Sequence, residues 1–207
     1  MAGAVRSGAM VALGLALLAG CAMLPPPDRV DLAPVPGVAL PYKARVMIYA
    51  GRSELDRKLL IQMSRFQTEE SEVKDGEALA RSARVVLAKG FQQVEINDPT
   101  IRPQLVVKLI GKGTWNRQDA KIKVGCALDV WTADGIPLGS FPNRYDSPES
   151  DYRYDLDAAY ALCLKKPVED LLRSPGLATL AGAGFKDPPV AAADAWIRTL
   201  GPIPRSR

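Results

Sequence analysis

Lys121–Trp131 reads KIKVGCALDVW, and its alternation decides the fold. Ile122, Val124, Cys126, Leu128 and Val130 take one parity, while Lys121, Lys123, Gly125, Ala127 and Asp129 take the other. Successive side chains of a strand point to opposite faces, so this is a β-strand with one buried and one wetter face. Ala133-Asp134-Gly135 follows, and Asp-Gly suits the tight primed turn of a hairpin, which makes Ile136–Tyr145 the returning strand. Upstream, Gln104–Ile110 sets Leu105, Val107 and Leu109 on one face, with Val106, Lys108 and Ile110 on the other. The intervening GKGTWNRQDA (111–120) reads as a hairpin loop that carries Trp115.

Two further extended segments, Lys43–Ala50 and Phe91–Ile96, flank the clearest helix, Asp75–Gly90. Leu79, Ala83, Val86 and Leu87 line one side of that helix at spacings of three and four. Asp75 is the expected amino-terminal cap, Gly90 the expected left-handed end, and Lys89 suits the negative end of the dipole. Arg57–Phe66 holds Leu59, Leu60, Ile61, Met63 and Phe66, a pattern that fits strand or helix. Glu69, Glu70 and Glu72 read as a solvated loop patch. In Asp155–Arg173, Leu156, Tyr160, Cys163 and Leu171 define a second apolar helix face, and Pro167 is expected to kink or split that helix. Beyond Ser174 the Gly-, Ala- and Pro-rich sequence predicts a loosely structured tail (174–207) with one short helix around Ala191–Leu200. The expected fold is α+β: about five strands in a mixed or mostly antiparallel sheet, two helices packed on one face, all within residues 43–173.

The amino terminus carries an address. Arg6 precedes an apolar run, Gly8–Leu18, too short to span a bilayer but suited to a secretory signal. Leu18-Ala19-Gly20-Cys21 then forms a lipobox, so the chain resembles a bacterial lipoprotein precursor. That resemblance implies cleavage after Gly20, removal of residues 1–20 and palmitate-bearing lipidation of Cys21. In enterobacterial lipoproteins an Asp after the cysteine favours retention in the inner membrane. Ala22 stands there, which implies the outer membrane, with the protein facing the periplasm. Residues 21–42 hold prolines at 25, 26, 27, 34, 36 and 41 and read as a semi-rigid tether spanning some tens of ångströms.

The chain has no histidine among its 207 residues. Ser-His-Asp and Cys-His nucleophile systems, the usual zinc sites and the commonest general base are therefore absent. Asp151, Asp155 and Asp157, beside Tyr152 and Tyr154, lead into a helix, where acids cap and complement the dipole. Gly111-Lys112-Gly113-Thr114 lacks the spacing of a phosphate loop. Charges are interspersed, with a formal net of +4 and no basic block, so nucleic acid is not an expected partner. Neither a cofactor nor a metal is expected, and the chain reads as a non-enzyme.

With Cys21 assigned to lipid, Cys126 and Cys163 remain, and an even pair in an oxidising compartment reads as a disulfide. Two separate buried thiols are the other reading. Both cysteines lie on apolar faces, so a bridge requires that the second helix cover that face of the sheet. Trp131 sits on the opposite parity beside Ala127 and Gly125, and Trp131 with Trp115 forms the candidate binding patch. Trp196 in the tail is a further possible anchor. The order of elements over residues 44–172 resembles small envelope lipoproteins, the outer-membrane lipopolysaccharide-assembly lipoprotein and those like the amino-terminal domain of TolB. The resemblance implies an accessory or binding subunit of an envelope assembly or transport complex, held to the membrane through Cys21. A carrier or sensor that binds lipid or glycan on the open sheet face is the alternative.

Overall fold

The computed structural model describes residues 24–62, 70–116, 118, 121–147 and 155–204. Residues 1–20, Cys21, Met63, Phe66, Glu69, Asp151, Tyr152 and Tyr154 lie outside the described residues. Five strands form the main sheet: β1 (Tyr42–Tyr49), β4 (Phe91–Ile96), β5 (Leu105–Asn116), β6 (Lys121–Thr132) and β7 (Pro137–Asp146), in the order β4-β1-β5-β6-β7. β1 runs parallel to both β4 and β5, and the remaining pairs are antiparallel, so the fold is α+β with a mixed sheet. Parallel neighbours need a crossover, and α2 (Asp75–Leu87) supplies it between β1 and β4.

α2 and α3 (Leu156–Leu172) cover one face. Ile122, Val124, Cys126, Leu128 and Val130 of β6 are all buried there, each at 4% exposure or less, with Leu79, Val86 and Leu87 of α2 and Tyr160, Leu164 and Leu171 of α3. The register that alternation predicts for β6 is therefore the one adopted. Cys126 and Cys163 are joined as a disulfide across this core, with their Cα atoms 6.2 Å apart.

Several expectations are corrected. Residues 111–116 are strand rather than hairpin loop, because Gly111 and Gly113 serve close approach and not a turn. A Cβ at Gly111 would lie 2.7 Å from the Leu79 side chain, and one at Gly113 would lie 2.5 Å from the Asp75 carboxylate. Of the two outcomes expected at Pro167, a kink or a split, the split does not occur, since α3 runs unbroken over its 17 residues. A proline at 167 frees the carbonyl four residues back, that of Cys163. Asn143 Nδ2 of β7 donates to that carbonyl at 2.8 Å and takes the place of the missing helix bond. Asn143→Ala should leave it unpaired and cost about 1–3 kcal/mol, read as a lower urea midpoint at unchanged m. An unchanged midpoint would show that the bond contributes nothing.

Gly90 does not adopt a left-handed backbone. It lies against Leu172, whose Cδ2 would stand 3.0 Å from an added Cβ. Lys89, just past the end of α2, donates to the carbonyl of Asp28 at 2.7 Å. That contact belongs to a larger correction. Residues 24–41 are not a free spacer, since Val30 is fully in the core and Leu24, Leu32, Val35, Val38 and Leu40 lie against it. Glu169 of α3 accepts from the Ala33 amide at 2.8 Å, which fixes the segment to the helical layer.

After a single helical turn, α1 (Arg52–Leu55), the described residues of 57–74 form β2 (Leu59–Gln62) paired antiparallel with β3 (Glu70–Val73). Glu70 and Glu72 are therefore strand residues, and Glu72 pairs with Lys58 at 2.6 Å. The tail is ordered as two helices, α4 (Pro175–Gly182) and α5 (Val190–Thr199). Ser174 caps α4 by accepting from the Leu177 amide. The chain then passes the end of the sheet where β1 and β5 begin, held by an Arg45–Asp187 ion pair at 2.5 Å and by Gln104 donating to the Phe185 carbonyl. α2 and α3 pack on one face as expected, and α5 is a further helix on the other. There Ala193 and Ile197 bury a second core with Met47, Tyr49, Val106 and Ala133. Among the described residues no helix is long and apolar enough to cross a membrane.

Candidate functional site

Trp115 and Trp131 do not form one patch. Trp115 pairs with Ile122 in the β5–β6 ladder and lies against the helix-covered core. Trp131 pairs with Val106, far along the same ladder and on the opposite face. Its ring meets Trp196 of α5 at a centroid separation of 5.6 Å and an interplanar angle of 52°. The tail thus occupies the surface that sequence parity left open around Trp131. Gly135 makes this packing possible. Its φ is +93°, and an added Cβ would stand 2.3 Å from the Trp196 ring. Gly135→Ala should therefore displace Trp196 and cost about 1–3 kcal/mol, seen as a changed tryptophan emission and an earlier melt. An unaltered emission spectrum would contradict the docking of α5.

Among the described residues no helix covers the rest of that face. Ile110, Ala127 and Pro142 form one cross-strand row over β5, β6 and β7, and Ile110 is 44% exposed. On one side the neighbouring row is Lys112, Gly125 and Arg144; on the other it is Lys108, Asp129 and Ser140. Lys123 lies beyond, paired with Asp146 at 3.7 Å, and Lys121 closes the strand. Cations therefore outnumber acids, with Lys108, Lys112, Lys121, Lys123 and Arg144 against Asp129 and Asp146. Lys112 and Arg144 are exposed and flank a glycine, and an added Cβ on Gly125 would come no closer than 4.0 Å to another atom. Alternate strand positions thus place an apolar row between charged ones on a shallow surface. The two-residue period puts these side chains on one face, but only the strand pairing of β5, β6 and β7 assembles the rows.

The second assembly concerns Asp75, which caps nothing. Lys74 holds the cap position, and Asp75 opens α2 with only 1% of its surface exposed. Tyr160 of α3 donates its hydroxyl to Asp75 Oδ1 at 2.6 Å. Arg57, between α1 and β2, donates Nε to Oδ2 at 2.5 Å, and the Gly113 amide of β5 donates to the same oxygen at 3.3 Å. Arg57 also pairs with Glu54 of α1. One carboxylate therefore ties α2, α3, β5 and the segment before β2 together. Burial pulls the Arg57 guanidinium down, but its hydrogen bond to Asp75 and the attraction of that carboxylate outweigh burial, so its pKa stands above the usual value. The Tyr160 phenol is also raised, first by burial and then by Asp75. Asp75 and Tyr160 are buried while Arg57 and Glu54 reach the surface, and the geometry is that of a structural tie. Sequence gave no signal for it, because Arg57 and Tyr160 lie 18 and 85 residues from Asp75.

Asp155 caps α3 by accepting from the Ala158 amide at 2.9 Å. Asp157 meets the Arg81 guanidinium of α2 with two bonds, at 3.0 and 3.1 Å. Among the described residues no three His, Cys, Asp or Glu side chains gather where a metal ion could be held.

No family model matches the chain, and no curated protein matches it. Among solved structures, two of the PelC dodecamer from Paraburkholderia phytofirmans are similar to it. One is 16% identical with a TM-score of 0.40, over 67% of this chain and 95% of that one. The other is 14% identical with a TM-score of 0.41, over 65% of this chain and 93% of that one. No residue role is carried over from them.

Proposed function

We propose that the protein is a non-enzymatic lipoprotein, anchored in the outer membrane through Cys21 and facing the periplasm. It serves there as an accessory or binding subunit of an envelope assembly or transport system. The observation that carries this reading is Leu18-Ala19-Gly20-Cys21 directly behind a short apolar run, with a folded domain beginning only a few residues later. A sequence without histidine supports binding over the common forms of side-chain catalysis. The docked segment sharpens the geometry. Only Ala22 and Met23 separate the lipid-bearing Cys21 from Leu24, which lies against the core. Three residues reach about 10 Å when fully extended, so the lipid would hold the domain close to the bilayer rather than at the end of a long spacer.

Chemical crosslinking in cells that produce the full chain tests the role. The intact protein should recover a defined envelope complex, and Cys21→Ser should lose it. Recovery of the same abundant envelope proteins by both would contradict an accessory function.

A further inference from the structure

We propose that the uncovered half of the open sheet face docks an acidic segment of a partner protein, one that also presents an apolar side chain. This rests on the accessory-subunit reading and names the surface and the chemistry of its partner. Lys108, Lys112, Lys121, Lys123 and Arg144 give the surface an excess of positive charge over Asp129 and Asp146. The Lys123–Asp146 pair neutralises itself and Lys108 stands opposite Asp129, so the excess falls on Lys112, Arg144 and Lys121, and the first two form the row directly beside the apolar one. Charge complementarity therefore calls for carboxylates on the partner.

The apolar row narrows the class. Ile110 is among the few large apolar side chains left exposed in the described residues, and Ala127 and Pro142 continue it across β6 and β7. A strip of apolar surface between charged rows matches a peptide segment that alternates acidic and apolar side chains. A sugar polymer would be met by an exposed aromatic platform, and here Trp131 already packs against Trp196. A bilayer is disfavoured by placement. The segment from Leu24 is fixed to the helical layer, through Ala33 to Glu169 of α3 and Asp28 to Lys89, whereas the cationic rows lie on the opposite side of the sheet. The anchor therefore leaves this face turned away from the layer that receives the lipid. Gly125 keeps the centre open, since no side chain stands between Lys112 and Arg144.

Site-specific photocrosslinking of the full chain in cells tests the proposal. A benzophenone amino acid replaces Ile110 on the open face or, as a control, Val85, which is 36% exposed on α2. Irradiation should give a discrete protein adduct from position 110 and none of that mass from position 85, with the crosslinked peptide rich in Asp and Glu. Lys112→Glu with Arg144→Glu should cut the adduct about tenfold or more, and added salt should lower it in the unreversed protein. Both charged positions are exposed, so the melting temperature should not change, and a circular dichroism melt checks this. An adduct at 110 that survives charge reversal, or one made of lipid or glycan, overturns the proposal. Adducts from 85 alone overturn the assignment of the face while leaving the accessory role standing. Absence of any protein adduct at either position overturns both.

Discussion

Replacing Asp75 with alanine is expected to lower stability by about 3–5 kcal/mol, the usual cost of stranding one partner of a buried ion pair. At about 2–4 °C per kcal/mol for a chain of this size, the melting temperature should fall by roughly 10 °C. The size follows from what remains. Arg57 is only 20% exposed and would keep its charge with Glu54 as its remaining carboxylate, while the Tyr160 hydroxyl would lose its acceptor in the core. Because much of the penalty is the guanidinium stripped of its buried partner, Arg57→Met should cost far less in an Asp75→Ala background than in the intact protein. That coupling is what a double-mutant cycle measures. Additive losses would mean that the contacts at Asp75 are independent and the tie is not a unit.

The same cluster predicts an alkaline dependence. The neutral Tyr160 phenol is the donor, and burial first, then its bond to Asp75, raises its pKa above the ordinary value. Its contribution is thus complete below the unfolded phenol pKa of about 10 and declines as pH rises above that. Tyr160→Phe should remove this part of the slope.

Reducing the Cys126–Cys163 bridge is expected to have the second large effect. The two residues are 37 apart, and in the chain-entropy model closing such a loop stabilises the fold by about 4 kcal/mol. Unfolding followed in guanidinium with and without reductant should show the midpoint fall. Reduction leaves both side chains in place and so isolates the crosslink, whereas Cys126→Ala with Cys163→Ala also removes buried sulfur, since these residues are 4% and 0% exposed. Oxidised protein, unfolded without reductant, should take up no alkylating reagent at either position. Two alkylated thiols there would contradict the bridge and the placement of α3 over β6.

Legibility in the sequence followed the strength of local periodicity. β6 was readable because every second residue from Ile122 to Val130 is apolar, and a half-buried strand needs nothing more. α2 was readable for the same reason at helical spacing. Read from sequence, β5 ends early because Gly111 and Gly113 look like turn residues. Their real cause, the nearness of Leu79 and Asp75, lies in another element. The tail was hidden by composition: α5 buries only Ala193 and Ile197, too few large residues to mark a face. Asp75 shows the same limit in the polar groups. A helix-opening Asp reads as a cap, and only tertiary structure reveals that its oxygens face Arg57, Tyr160 and Gly113. The open face was visible as parity on single strands, but the rows that give it a chemistry exist only across three.

The proposed role depends first on Cys21. Mass spectrometry of the amino-terminal peptide, from protein made in a host that processes lipoproteins, tests the anchor. The expected peptide begins at Cys21 and carries a diacylglyceryl group and an amide-linked acyl chain, with residues 1–20 gone. A peptide beginning at Met1, or a free unmodified Cys21, would contradict it.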